Sequence, residues 1–222
     1  MSSSFVTRRG PTLSIPQCAA VVTALLLAGV AACSSDSITE PGPGPDVQLV
    51  RATTIGRAYY PPGNWPQGGQ GQPVGGVSCI ITNPPPAYHV HAHVSLFVNG
   101  EQIAIPAGIG VINPVIANNY VNFDVAKCFY EIHTHDATGI IHLHANGGQN
   151  RPLTLGQLFD VWGQTISRDN VAGQIGRVRV YVDQVRFDGD PRAIVLAANT
   201  LVSLQVGSPL VAPPKYIIPA AP

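Results

Sequence analysis

Residues 88–98 read Tyr88-His89-Val90-His91-Ala92-His93-Val94-Ser95-Leu96-Phe97-Val98, and the alternation in this stretch decides the fold class. Val90, Ala92, Val94, Leu96 and Val98 occupy the even positions, and His89, His91 and His93 the odd ones. Successive side chains of a β-strand point to opposite faces, so this segment gives one face to a core and the other to imidazoles. A helical period would scatter both sets around the axis.

The same reading extends outward. Asn99-Gly100 is a two-residue hairpin signal, with Glu101 to Ile105 as the returning strand. Residues 107–119 are loop-like, and Tyr120 to Val125 reads as a further strand. Phe129 to His135 is a strand, Asp136 to Gly139 a turn and Ile140 to His144 the return. Thr154 to Trp162 predicts the one helix, capped by Thr154, with Leu155, Leu158, Phe159 and Trp162 at helical spacing. Val178 to Phe187, Ile194 to Leu196 and Leu201 to Val206 add strands, and Asp188 to Pro191 is a turn. The expected class is mainly β, an antiparallel β-sandwich or open barrel with one short helix.

The N-terminal segment reads as an address. Arg8 and Arg9 precede an apolar stretch, Ala19 to Ala32, too short to span a bilayer comfortably. It closes on Val30-Ala31-Ala32-Cys33, which resembles the lipobox of bacterial lipoproteins. The expected organisation is therefore a lipoprotein-type signal peptide at 1–32 and lipidation of Cys33. A Ser/Pro/Gly-rich flexible tether follows at 33–46, then one β-rich domain over 47–207 and a loose proline-rich tail at 208–222. The implied location is a bacterial cell envelope, with the membrane as a partner through the anchor. The chain carries 12 basic and 12 acidic residues, and losing Arg8 and Arg9 with the leader leaves a slight acidic excess. With no basic stripe, nucleic acid is excluded as a partner. Cys79 and Cys128 are the pair left to such an exported domain. They are expected to form a disulfide, the competing use being a thiolate metal ligand.

All 7 histidines fall in two clusters: His89, His91 and His93, then His133, His135, His142 and His144. An even loop centred on Ala137-Thr138 pairs His133 with His142 and Glu131 with His144, Cβ atoms about 5 Å apart. Imidazole is the commonest transition-metal ligand, so the pattern points to a copper or zinc ion on a sheet. His91, His93, His133, His135 and His142 are the expected ligands, with His89 and His144 peripheral. Glu131 and Asp136 are the candidate bases should the site be catalytic. The spacing excludes two familiar patterns. His133-Thr134-His135-Asp136 places its Asp one position too early for the metallo-β-lactamase motif, and Glu101 follows His93 only beyond a turn, unlike a cupin.

Three blocks carry a resemblance. They are Tyr88 to Val94 with Asn99-Gly100 and Ile105 to Gly110; Cys128 with His133-Thr134-His135-Asp136-Ala137-Thr138-Gly139-Ile140-Ile141-His142; and Thr154 to Gln157 with Asp160 to Gly163. Together they resemble a group of uncharacterised bacterial exported proteins, over about residues 76 to 186. The resemblance implies a shared single-domain module and a dispensable His144, and it supplies no activity.

Three functions follow from the residues. The first is a lipid-anchored protein that binds, buffers or delivers copper or zinc. The second is a metal-dependent enzyme with a three-histidine hydrolytic or oxidative site. The third is an interaction protein with a structural metal. Histidines beyond the need of one ion favour the first.

Overall fold

The alternating segment forms one unbroken strand of 11 residues. A computed structural model describes residues 39–63, 67–80, 88–145 and 151–220. The expected signal peptide, Cys33 and the first part of the expected tether lie outside the described residues. The elements that frame the site are β1 (Cys79–Ile80), β2 (Tyr88–Val98), β3 (Glu101–Ile103), β4 (Val111–Ile112), β5 (Cys128–Tyr130), β6 (Ile132–His133), β7 (Ile140–Ala145), α1 (Leu155–Trp162), β8 (Val178–Val182), β9 (Val185–Phe187) and β10 (Leu201–Val206).

The main sheet has 7 strands in the order β9-β8-β10-β2-β7-β6, with β3 also paired to β2. A smaller sheet runs β1-β5-β4. The architecture is mainly β, with open sheets, and no barrel closes among the described residues. Most pairings are antiparallel, as expected. The β2–β10 pair is parallel, with Leu201 opposite His93 and Val206 opposite Val98. Parallel neighbours need a long crossover, and here the connection carries α1.

Strand β2 is central because both its edges are filled. Along one edge β7 pairs with Tyr88 to His93 and β3 with Leu96 to Val98. Between them Val94 N–H donates to the Gly139 carbonyl, 2.9 Å. Asn99 and Gly100 make the β2–β3 turn at φ 51° and 80°, the left-handed pair that a two-residue hairpin requires.

The even face of β2 is the core side. Ala92, Val94 and Leu96 are buried in one hydrophobic cluster with Ile141, Leu143, Ile132 and the helix residues Leu155, Leu158 and Phe159. Burying each of the Val, Leu, Ile and Phe side chains stabilises the fold by about 1.5–3 kcal/mol. Helix α1 starts at a capping box. Gln157 N–H donates to Thr154 Oγ1 while Thr154 N–H donates to Gln157 Oε1. It ends at Gly163 in the left-handed region.

The hairpin around residues 136–139 is looser than its parity suggests. Pairing of β6 with β7 stops at His133 opposite His142. Beyond it Thr134 is captured by the preceding loop: its N–H donates to the Ile109 carbonyl and its hydroxyl to that of Pro106. Gly139 closes the turn at φ +84°, where a Cβ would stand 2.4 Å from Val94 O and 2.9 Å from His93 Nε2. Gly139→Ala is expected to cost about 2 kcal/mol or more, through the left-handed backbone and the lost contact. A fall in urea midpoint measures it, and an unchanged midpoint would contradict this role of the turn.

The described parts of the expected tether and tail differ from the sequence reading. The tether is docked from Glu40, whose carboxylate pairs with Arg186 and Arg179 and accepts from the Tyr181 hydroxyl. Asp46–Gln48 pairs in parallel with Lys215–Ile217, so the proline-rich tail carries a strand. Its Tyr216 is buried with Leu49 and Ile140, an apolar patch that composition alone conceals.

Cys79 and Cys128 form a disulfide with Cα atoms 5.7 Å apart. These two sulfurs are therefore not metal ligands, and an ion held by the described residues must take nitrogen or oxygen.

Candidate metal centre

Opposed residues of a ladder share a face, so the register decides which imidazoles meet. His91, His142 and His133 form one row across β2, β7 and β6. His89 and His144 form the next row, opposite one another. His135 lies past the end of the β6 ladder, yet its ring stacks on His142 with centroids 3.5 Å apart and planes at 6°.

Six imidazoles thus converge. His89 Nε2 lies 3.0 Å from His142 Nδ1 and 3.0 Å from His91 Nε2. His133 Nε2 lies 3.0 Å from His135 Nε2. Two nitrogens on one tetrahedral ion with bonds of about 2.0 Å stand ~3.3 Å apart, so these spacings are close to those of a ligand shell. Two trios each bring a ligand atom within 4.8 Å of the other two: His89, His91 and His142, and His133, His142 and His144. Both ring nitrogens of His144 are buried and find no hydrogen-bond partner among the described residues. Buried polar atoms are costly to leave unpaired, and a metal ion would satisfy them.

The electrostatics keep the rings neutral. Burial, and then the charge of His89, lowers His91 to about 4, although a hydrogen bond to the Pro219 backbone opposes this. Burial lowers His135 and His144 to about 3, reinforced by neighbouring imidazoles. Burial pushes His133 and His142 well below the usual range, and lowers His89 with help from Arg51. At neutral pH each ring therefore has a free lone pair, the form in which imidazole binds metal.

Two expected ligands fall outside the trios: His135, whose ring stacks on His142, and His93. His93 shares the histidine face but sits opposite Ile140, one row from the others. Its Nε2–H donates to the Thr138 carbonyl, 2.9 Å, and its ring stacks on Tyr216 at 3.9 Å. It belongs to neither trio, whereas His89 and His144, expected to be peripheral, belong to them. Parity assigns a face and not a row, and the β2–β7 register brings β7's histidines to His89 and His91.

Neither candidate base joins the trios. The chain bends at Glu131, whose Oε2 accepts from Ser78 N–H at 3.0 Å and pairs with Arg151 at 2.5 Å. Asp136 Oδ1 accepts from Thr138 N–H and Oδ2 from Ala52 N–H, which fixes the turn.

Four further residues shape the site. The Tyr120 hydroxyl meets His135 Nδ1 at 2.5 Å, holding that ring from behind. Phe129 packs on His133 and His144, and Phe123 on His135. Phe129 shares the parity of His133, so the strand pattern could have found it. Tyr120, Phe123 and Arg51 arrive through tertiary contacts that no local pattern announces.

The chain matches no family model, no curated protein and no solved structure. The geometry therefore carries the functional argument: this β-rich domain holds buried histidine clusters able to bind a metal ion.

Proposed function

We propose that the protein binds copper or zinc in an exported compartment, held at the cell envelope by lipid on Cys33, and serves to take up, buffer or deliver the ion. The observation that carries this reading is the convergence of six imidazoles, with both nitrogens of His144 buried and unpaired among the described residues. The donor set is imidazole without thiolate, which suits Cu(II) and Zn(II), and the affinity order places copper first. The disulfide fits an oxidising compartment. No helix among the described residues is long and apolar enough to cross a membrane. In this proposal the membrane attachment is supplied by the leader and Cys33, on the lipobox-like Val30-Ala31-Ala32-Cys33. The resemblance to exported bacterial proteins points to the same compartment. Binding is favoured over catalysis because Glu131 and Asp136, the two carboxylates expected to act as bases, are spent on structural contacts.

The test is elemental analysis of the untagged chain after loading with Cu(II) or Zn(II) and exhaustive dialysis. The wild type is expected to retain metal, and a His133→Ala, His142→Ala double variant to lose at least nine-tenths of it. Retention of none by the wild type under either loading would overturn the reading.

A further inference from the structure

The two histidine trios are not independent, because His142 belongs to both. We infer that the cluster is a dinuclear site, in which the imidazole of His142 bridges two metal ions. This deepens the metal-binding reading and rests on it.

The inference starts from position. His142 stands on β7, the middle strand of three, with β2 on one side and β6 on the other. His91 is its opposed residue on β2 and His133 its opposed residue on β6. No other ring has histidine neighbours on both flanking strands of the row. Toward β2, His142 Nδ1 is the atom that meets His89 Nε2 at 3.0 Å. One lone pair cannot serve two ions. Filling both trios therefore requires His142 to give Nδ1 to the ion at His89 and His91, and Nε2 to the ion at His133 and His144.

The supply of ligands fits two ions better than one. A tetrahedral ion takes four protein ligands at most, and an open site takes three. Six rings around a single ion would leave two or three buried nitrogens without a partner. Two ions sharing His142 use five rings, and His135 is at hand as a sixth, its Nε2 3.0 Å from His133 Nε2. The unpaired nitrogens of His144 belong to the trio on the β6 side, so that half of the site has its own need for an ion.

The charge balance is explicit. A neutral imidazole carries one N–H proton. When the second ion binds, His142 releases that proton to solvent, and the resulting imidazolate donates one electron pair to each ion. The negative bridge offsets part of the repulsion between two divalent cations. No oxidant or reductant is involved.

The test loads the full, untagged chain with Cu(II), whose unpaired electron reports its neighbours. The wild type is expected to saturate at two ions per chain with a spin-coupled electron paramagnetic resonance spectrum. His91→Ala and His144→Ala should each saturate at one tightly held ion with an ordinary uncoupled signal. His142→Ala should lose the coupling altogether. Saturation of the wild type at one ion would overturn the dinuclear site and leave the metal-binding reading standing. Two uncoupled ions in the wild type, or coupling that survives in His142→Ala, would overturn the bridge. No bound copper at all would overturn both. The wild-type stoichiometry and spectrum decide the question even where a variant fails to fold.

Discussion

Acidifying the metal-free protein from pH 7 to pH 4 is expected to remove several kcal/mol of its stability, enough to unfold it. The buried imidazoles are the reason. In the unfolded chain they take up protons near the ordinary value of about 6.5. In the folded chain His91 and His93 stay neutral down to about 4, and His135 and His144 to about 3, chiefly because burial penalises their charged form. Between those limits the unfolded state binds more protons, so stability rises with pH. It is fully present above about 6.5 and drains as the pH falls toward the folded values, by at most ~1.4 kcal/mol per group per pH unit. His93, fully buried on Tyr216, accounts for about 3 kcal/mol of the loss by pH 4. Even a few such groups approach the 5–15 kcal/mol that ordinary domains possess. Urea midpoints at pH 7, 6, 5 and 4 in the presence of chelator measure the effect. A midpoint constant from pH 7 to pH 5 would show that the imidazoles are not held neutral. Bound metal competes with protons for the same lone pairs, so the loaded protein should keep its midpoint to lower pH.

How much of this was legible in the sequence depends on the distance over which each feature is encoded. The alternation in Tyr88 to Val98, the Asn99-Gly100 turn and the Thr154 cap are local. Each fixes backbone geometry within a few residues, and each appears where expected. The opposition of His133 and His142 also follows from a short hairpin. What no local pattern holds is which strand lies beside which. The parallel partner of β2 is β10, about a hundred residues later in the chain. The exchange of roles between His93 and His89 has the same origin. Both face one way, but the tail delivers Tyr216 to His93, while β7 delivers His142 and His144 to His89. The proline-rich composition of that tail hid the strand that does so.

Replacing both Cys79 and Cys128 by alanine is expected to cost about 4 kcal/mol, the chain-entropy value for a loop of this size. The two residues are separated by 49 positions, and the bridge closes a loop that contains β2 and the β2–β3 hairpin. Nearly half the histidine face is thus tied to the β1-β5-β4 sheet before any metal binds. That sheet also supplies Phe129, which packs against His133 and His144. The disulfide therefore holds the imidazoles in place without an ion, which is what a reversible carrier needs and a structural metal site does not. Chelation of the intact protein at pH 7 should leave it folded. In the double variant the ion must take over the missing constraint. A ligand at a thousandfold excess over its Kd stabilises the folded state by about 4 kcal/mol, so metal should restore roughly what the disulfide supplied. Urea unfolding of both proteins, with and without EDTA, gives the four midpoints required. The variant should fold well only with metal, whereas the intact protein should stay folded in EDTA. If the intact protein unfolds on chelation at pH 7, the ion is a structural element of the domain, and uptake and release cannot be its purpose.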